Sequence, residues 1–320
     1  MSVTTPAASP RPLADDPGAA PTRRPRRRRS SLPYLLLAPS VVILLALTGW
    51  PLWRLLVMST QKYGRAQVFG APPEFVGLDN YRRVLTDPQF WQVLARSFAF
   101  CAVNVVLTMV LGILVALLLT RLGSLMRGVT TVGLLLAWAM PALTSVVIWS
   151  WMFDTQYGVV NSMLTALGMD MLGHSWLIQP LSFFAVATLI ITWQAIPFVA
   201  FTVYAALTQV PEELTEAAQL DGANGWQRLR LIILPLLRPV LLILTMLQVI
   251  WDLRVFTQIF ALQDSGGITE QTSTIGVYIY QVGVAQGRFD VGSAIAVILV
   301  VIMLVVSFAY VRQVVREDVS

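Results

Sequence analysis

The chain has 320 residues, of which 56% are hydrophobic and 12% are charged, and its formal net charge is +5. Soluble globular domains carry about 25% charged residues, so this composition excludes that class and indicates an integral membrane protein. The chain has one cysteine, Cys101, and one histidine, His174, which excludes an internal disulfide and a zinc site built from several such residues. We therefore predict no metal site.

Residues 1–31 are rich in Pro, Ala, Thr and Arg and contain almost nothing to bury. This composition predicts a disordered tail. The tail ends in a cluster of arginines between Arg23 and Arg29. Such a cluster can bind nucleic acid or anionic lipid, but next to an apolar segment it indicates an N-terminus held in the cytoplasm. We expect membrane lipid as a partner and no nucleic acid.

Apolar stretches of roughly 20 residues are long enough to cross the hydrocarbon core of a bilayer. Six stretches meet this condition, at residues 34–58, 93–120, 129–151, 181–207, 234–260 and 291–311. The third contains Pro141, which a spanning helix tolerates when neighbouring helices satisfy the freed carbonyl. Arginines cluster on one side of the predicted spans, so both termini are expected in the cytoplasm. The sequence thus predicts an all-α integral membrane domain with six transmembrane helices over residues 32–320.

A polar segment at about residues 208–235, here called the polar loop, separates the fourth and fifth predicted spans. Pro211 is predicted to begin a short helix, since a proline at the first helical position loses no hydrogen bond. Leu214, Ala217 and Ala218 follow at spacings that place them on one face of this helix. Gly222 can adopt the positive φ that ends the helix, so a second helix is expected to leave at an angle.

The second helix of the polar loop is predicted to run from Asn224 and to end at Pro235, whose ring would kink the chain. The pattern of the whole loop is an acidic residue and two alanines, a glycine four positions after the second alanine, and a leucine–proline pair at the end. The residues of this pattern are Glu216, Ala217, Ala218, Asp221, Gly222, Ala223 and Pro235. The pattern resembles the cytoplasmic EAA signature of permease subunits of ABC importers, and its Asp-Gly-Ala variant resembles the maltose-type, carbohydrate-importing branch.

This resemblance implies a type I ABC importer permease fold in the inner membrane of a bacterial cell. It implies that the polar loop couples to the ATPase. Glu216 would pair with a basic or polar group there, the alanines would permit close docking, and Gly222 would supply the bend. The implied partners are a second permease subunit, an ABC ATPase dimer and an extracytoplasmic solute-binding protein. ATP and Mg would bind to the ATPase, so the resemblance implies no cofactor on this chain.

Motifs for nucleotide binding and hydrolysis are missing from the sequence. It contains no Gly-x-x-x-x-Gly-Lys-Ser/Thr loop and no Gly-x-Ser-x-Gly elbow. We therefore expect a transport subunit and not an enzyme. An ion-coupled secondary transporter of a small polar solute is the alternative, and it predicts ionisable residues deep in the spans, which are scarce here.

Polar and aromatic residues inside the predicted spans are candidates for a substrate path. They are Trp193, Gln194, Gln248, Trp251 and Asp252. Aromatic faces with amide and carboxylate groups suit a hydroxyl-rich solute, although a tryptophan can also anchor a span at the interface and a glutamine can bond a neighbouring helix. An acid in a span is a functional candidate, although Asp252 is expected near the outer interface. The segment after it departs from the resembled family, which commonly has an acid where this chain has Thr257.

Overall fold

The computed structural model describes residues 32–317, so the predicted tail at residues 1–31 lies outside the described part. The described residues divide into two compact units, with the boundary between Trp50 and Pro51. The helices are α1 (Leu32–Leu44), α2 (Trp50–Ser59), α3 (Arg65–Val68), α4 (Asp79–Thr86), α5 (Pro88–Arg121), α6 (Ser124–Ala139), α7 (Ala142–Met152), α8 (Val159–Ala166), α9 (Pro180–Leu207), α10 (Glu212–Leu220), α11 (Gly225–Arg228), α12 (Leu234–Leu253), α13 (Thr257–Asp264), α14 (Thr269–Thr272), α15 (Ile275–Tyr280) and α16 (Phe289–Glu317). Three π-helical turns occur at Leu45–Gly49, Leu229–Ile233 and Gln281–Ala285.

Five helical stretches of the described chain are long and apolar enough to span a membrane. They are Leu35–Ser59, Pro88–Arg121, Pro180–Leu207, Gly225–Asp264 and Phe289–Arg312. Each contains or closely matches one predicted span. Together with a sixth, bent pair of helices, they confirm the predicted all-α membrane class.

The third predicted span, residues 129–151, is broken rather than continuous. Helices α6 and α7 meet at an angle of 102°. Met140 is extended, with φ −68° and ψ 128°, as expected for a residue directly before a proline. Since Pro141 also has no N–H to donate, the helical ladder ends there and restarts at Ala142. The expectation of an unbroken helix is corrected to two helices that form one bent span.

The fifth predicted span, residues 234–260, is interrupted near its end. Helix α12 stops at Leu253, and α13 begins only at Thr257. The Arg254 and Val255 amides turn back to the Trp251 and Asp252 carbonyls. These tighter bonds, three residues apart, close the last turn of α12.

Helices α5 and α9 pack along each other within the second unit. Gly112 permits a close approach, because a Cβ there would lie 2.5 Å from Cγ1 of Val199. Asn104 joins the pair: its Nδ2 donates to the Phe100 carbonyl at 2.8 Å, and its Oδ1 accepts from Thr192 Oγ1 at 3.4 Å. Asn104 therefore forms a buried hydrogen bond that links α5 to α9.

The segment between the first two spans contains strands as well as helices. Strands β1 (Gln61–Lys62) and β2 (Glu74–Phe75) pair antiparallel. Nδ2 of Asn80 donates to the carbonyls of Ser59 and Gln61, at 3.0 and 2.9 Å. A buried amide thus holds this segment against the end of the first span, an addition to the predicted all-α fold.

Candidate functional site

The polar loop begins with α10, a short helix with no buried residue. Glu216 and Ala217 are exposed, and Ala218 is partly exposed. The prediction that Pro211 is the first helical residue is wrong by one position, because its ψ of 128° is extended and the helix begins at Glu212. The face that carries the two alanines therefore lies where another protein can reach it.

Gly222 forms the turn that ends α10, with the expected positive φ, here 83°. The Ala223 N–H donates to the Ala218 carbonyl at 2.9 Å, and the Gly222 N–H donates to the Gln219 carbonyl at 3.1 Å. These two bonds form the Schellman pattern, in which a left-handed residue ends a helix. A Cβ on Gly222 would meet no atom within 4 Å. The requirement for glycine is thus conformational and not steric.

The second arm of the polar loop begins at α11 with a capping box that was not predicted. Oδ1 of Asn224 accepts from the Gln227 N–H at 2.9 Å, and Oε1 of Gln227 accepts from the Asn224 N–H at 2.8 Å. The Asn-x-x-Gln spacing was the available sequence signal. Across the turn, Nη1 of Arg228 donates to Oε1 of Gln219 at 3.0 Å. This bond joins α10 and α11, the two arms of the bend at Gly222, which is here called the elbow.

The second arm does not end at Pro235, which corrects the prediction. It continues through a π-helical turn, Leu229–Ile233, into α12. The Leu234 N–H reaches five residues back to the Leu229 carbonyl. Pro235 then lies in the first turn of α12, where its missing N–H does little harm. The wide turn accommodates the proline, so the helix continues past it.

A cavity of about 560 Å³, here called the aromatic cavity, lies between α9, α12, α13 and the bend of the third span. Its polar and aromatic lining includes Trp138, Gln194, Phe198, Gln248, Trp251, Asp252 and Gln258. Four of the five predicted path residues meet here: Gln194, Gln248, Trp251 and Asp252. Sequence reasoning missed the contribution of Gln258, although its amide just beyond Thr257 was a visible signal.

The aromatic cavity contains two buried hydrogen-bond acceptors one helical turn apart on α12. Gln248 is 1% exposed and Asp252 is 4% exposed. Oε1 of Gln248 and Oδ2 of Asp252 have no hydrogen-bond partner among the described residues. A buried polar atom without a partner costs about 1–3 kcal/mol. Two residues of the cavity lining therefore each carry a shielded acceptor atom with no partner in the described part of the chain.

Aromatic rings border these acceptors. The rings of Trp251 and Phe198 pack edge to face, with centroids 5.1 Å apart. Trp251 is 44% exposed and Trp138 is 55% exposed. Their open faces offer stacking surfaces beside the buried acceptors.

The amino-acid sequence of the chain is similar to those of a known protein family. Residues 108–319 match the family described as binding-protein-dependent transport system inner membrane component. The chain is also 43% identical over 308 residues to the diacetylchitobiose uptake system permease protein DasB of Streptomyces coelicolor, across 95% of this chain and 94% of that protein. This chain is a member of that permease family.

Other relatives span nearly the same length. The permease is 33% identical over 294 residues to the trehalose/maltose transport system permease protein MalF of Thermococcus litoralis, across 91% of this chain and 96% of that one. It is 32% identical over 287 residues to the sulfoquinovosyl glycerol transport system permease protein SmoG of Agrobacterium fabrum, across 90% and 91%. A crystal structure of a bacterial ABC transporter that imports alginate has the same fold, with a TM-score of 0.76 at 24% identity and coverage of 89% and 95%. The type I ABC importer permease fold is therefore confirmed, and the permease is an inner membrane protein.

Gln194 connects the aromatic cavity of the permease to the bend of the third span. Its Nε2 donates to the Met140 carbonyl at 3.0 Å, directly before Pro141. Its Oε1 accepts from Nε2 of Gln258 at 3.5 Å. A neighbouring helix thus satisfies a carbonyl at the break, as a proline in a span requires.

We expect Gln194→Leu to lower the free energy of unfolding of the permease by about 1–3 kcal/mol, since the Met140 carbonyl loses its donor. Thermal unfolding in detergent measures the change. The matched control is Gln209→Leu, because Gln209 is exposed and its Nε2 donates to the Ala205 carbonyl of α9 at 3.3 Å. An equal loss in both variants would show that the bond at the bend has no special effect.

Trp193 does not join the other predicted path residues. Its ring packs against Trp149 at a centroid distance of 5.9 Å, and Trp149 stacks on Phe153 at 6.1 Å. Trp193 lies between Ile191 and Gln194 in the sequence, and both of these residues line the cavity. The position of Trp193 on the helix points its side chain to α7 instead. Trp193 contributes to packing between the bent span and α9.

Proposed function

We propose that this permease forms half of the translocation path of an ATP-driven importer for a carbohydrate. The observation that carries the proposal is the aromatic cavity, where two unpartnered buried acceptors lie beside exposed tryptophan faces. A hydroxyl-rich solute supplies donors for both acceptors and apolar ring faces for stacking. The relatives named for diacetylchitobiose, for trehalose or maltose, and for sulfoquinovosyl glycerol support a carbohydrate.

We assign the polar loop as the contact with a separate ATPase. Apart from Glu216 and the alanines, the elbow exposes two large apolar side chains, Leu220 at 89% and Trp226 at 66%. Exposed apolar residues of this size on a polar segment mark protein interaction sites. Ala217 and Ala218 allow the close approach, and the rigid turn at Gly222 sets the angle of the two arms.

The proposal also includes a second permease subunit and a solute-binding protein. One chain provides one polar loop and one wall of a path, so a second permease completes both. The alginate transporter was also crystallised with a pentasaccharide-bound periplasmic protein, which supports delivery by a solute-binding protein. ATP and Mg are bound by the ATPase. Arginines of the polar loop and of the connection between α5 and α6 support a cytoplasmic position for both segments and for both termini.

Co-purification and transport assays test this proposal against ion-coupled transport. The tagged permease is expected to bring down an ATPase and a second permease, and uptake into proteoliposomes should require ATP and the binding protein. Uptake by the purified chain alone, driven by an ion gradient, would instead establish the secondary transporter.

We expect Glu216→Lys to weaken binding of the ATPase by at least about tenfold, because the lysine would repel a basic group in the cleft, or would no longer accept a hydrogen bond from a polar one. The amount of ATPase that co-purifies with the permease measures the effect. The control is Glu74→Lys, the same charge reversal at an exposed strand residue outside the polar loop. Unchanged recovery of the ATPase with Glu216→Lys would contradict the assigned contact.

A further inference from the structure

A second, apolar groove of about 620 Å³ lies between α5 and α9, apart from the aromatic cavity. On α5 it is lined by Arg96, Val103 and Leu107, whose spacing places them on one stripe of the helix. On α9 it is lined by residues that include Leu181 and Ala185. Arg96 is the charged residue of the groove, and it lies at the end where both helices begin.

The position of Arg96 along α5 corresponds to the edge of the hydrocarbon core. The helix has 34 residues and is therefore about 51 Å long, whereas the core is about 30 Å thick. If the excess is shared between the two ends, about 10 Å projects from each. Arg96 lies about 12 Å from Pro88 at the helical rise. In that arrangement the backbone of Arg96 lies at the edge of the hydrocarbon core, its side chain can reach towards the lipid phosphates, and the rest of the groove lies among acyl chains.

The guanidinium of Arg96 is fixed in place but has no acidic partner. Its Nη1 donates to the carbonyls of Glu270 and Ser273, at 3.3 and 3.2 Å. The ion pair recorded within the described residues joins Arg83 to Asp79, so no carboxylate of that part of the chain neutralises Arg96. A half-buried cation with free N–H groups at a membrane boundary attracts an anion.

We propose that this groove binds one anionic glycerophospholipid, with its phosphate at Arg96 and one acyl chain along the groove. Arginine donates two parallel N–H groups to a phosphate. A phospholipid headgroup supplies such a phosphate at this depth. From Arg96 to Leu107 the groove is about 16 Å long, close to the roughly 15 Å of one leaflet's hydrocarbon. Charge and length together therefore match one lipid molecule. The site is independent of the solute that the permease carries.

Native mass spectrometry of the full chain in detergent tests the headgroup. The probes are phosphatidylglycerol, phosphatidylcholine with the same acyl chains, and inorganic phosphate. We expect one phosphatidylglycerol to bind with a Kd about tenfold below that of phosphatidylcholine, and phosphate alone not to bind at that concentration. Equal binding of the two lipids, or binding of phosphate as tightly as phosphatidylglycerol, would overturn the proposal.

Variants separate the two parts of the site. Arg96→Gln should raise the Kd for phosphatidylglycerol about tenfold and that for phosphatidylcholine by less, because the choline ammonium already neutralises the phosphate of phosphatidylcholine. Ala185→Trp, which fills the groove, should weaken both lipids. Arg96→Lys keeps the charge and should retain most of the preference, which controls for a loss of folding in Arg96→Gln. Arg82→Gln removes an exposed charge outside the groove and should change nothing. Unaltered lipid preference in Arg96→Gln would refute the site.

A photo-crosslinking amino acid at Val103, which is 50% exposed, tests what covers the groove in the assembled importer. Irradiation of intact membranes should attach a phospholipid to the permease, detected as a mass shift. A crosslink to the second permease in place of lipid would show that the groove is a subunit interface, and the proposal would fail.

Discussion

Gly222→Val is expected to reduce ATP-driven uptake by roughly 5- to 30-fold while the permease still inserts into the membrane. Valine has no steric clash here, since space around the position is open, but its backbone is strained at a φ of 83°. A non-glycine residue in the left-handed region costs about 1–2 kcal/mol, which lowers the population of the bent elbow by the stated factor. Uptake and ATP hydrolysis by the reconstituted importer measure the loss of coupling.

Two controls use the same loop. Gly225→Ala changes a glycine at the start of α11, where the backbone is helical and a Cβ meets open space, so uptake should remain unchanged. Gly222→Asn should be less harmful than valine, because asparagine tolerates the left-handed region. Wild-type uptake with Gly222→Val would mean that the elbow angle is not needed for coupling.

Asp252→Asn is expected to reduce uptake of the imported sugar by at least about tenfold, because hydrogen bonds to a charged acceptor contribute about 1.5–3 kcal/mol. The same change should stabilise the permease, since a neutral amide replaces a buried carboxylate, one oxygen of which has no partner among the described residues. Uptake into proteoliposomes and thermal unfolding in detergent measure the two effects. Lower uptake together with higher stability would indicate that Asp252 is retained for transport at the expense of stability.

Asp264→Asn is the matched control, because Asp264 is exposed at the end of α13, and neither uptake nor stability should change. If Asp252→Asn lowers stability instead, the carboxylate has a partner within the detergent-purified permease. If stability rises and uptake is normal, Asp252 lies outside the path.

Hydropathy alone predicted where the chain crosses the membrane, because the length of an apolar stretch is a local property. The positive φ of Gly222 was also local and was confirmed. The break at Pro141 was not predicted, because a proline can either be tolerated or end a helix, depending on which neighbour satisfies its carbonyls. Here that neighbour is Gln194, a residue distant in sequence.

The candidate path was predicted in part for the same reason. Gln248 and Asp252 were both predicted as path residues, and they lie on one face of α12 because they are one helical turn apart. Trp193 is adjacent to Gln194, yet it faces α7, since neighbouring positions on a helix point about 100° apart. Arg96 gave no usable signal, because only the packing of α5 on α9 reveals the groove beside it.

The continuity of α11, the π-helical turn and α12 has a mechanical consequence. From Gly225 to Leu253 the chain forms one rod about 43 Å long at the helical rise, with the elbow at one end and Asp252 near the other. A tilt of about 10° would displace the far end by about 7 Å, more than one helical pitch. The same rod carries Gln248, so both acceptors would travel together. A pull on the elbow would thus move the cavity wall that carries both acceptors, without any signal passed from side chain to side chain.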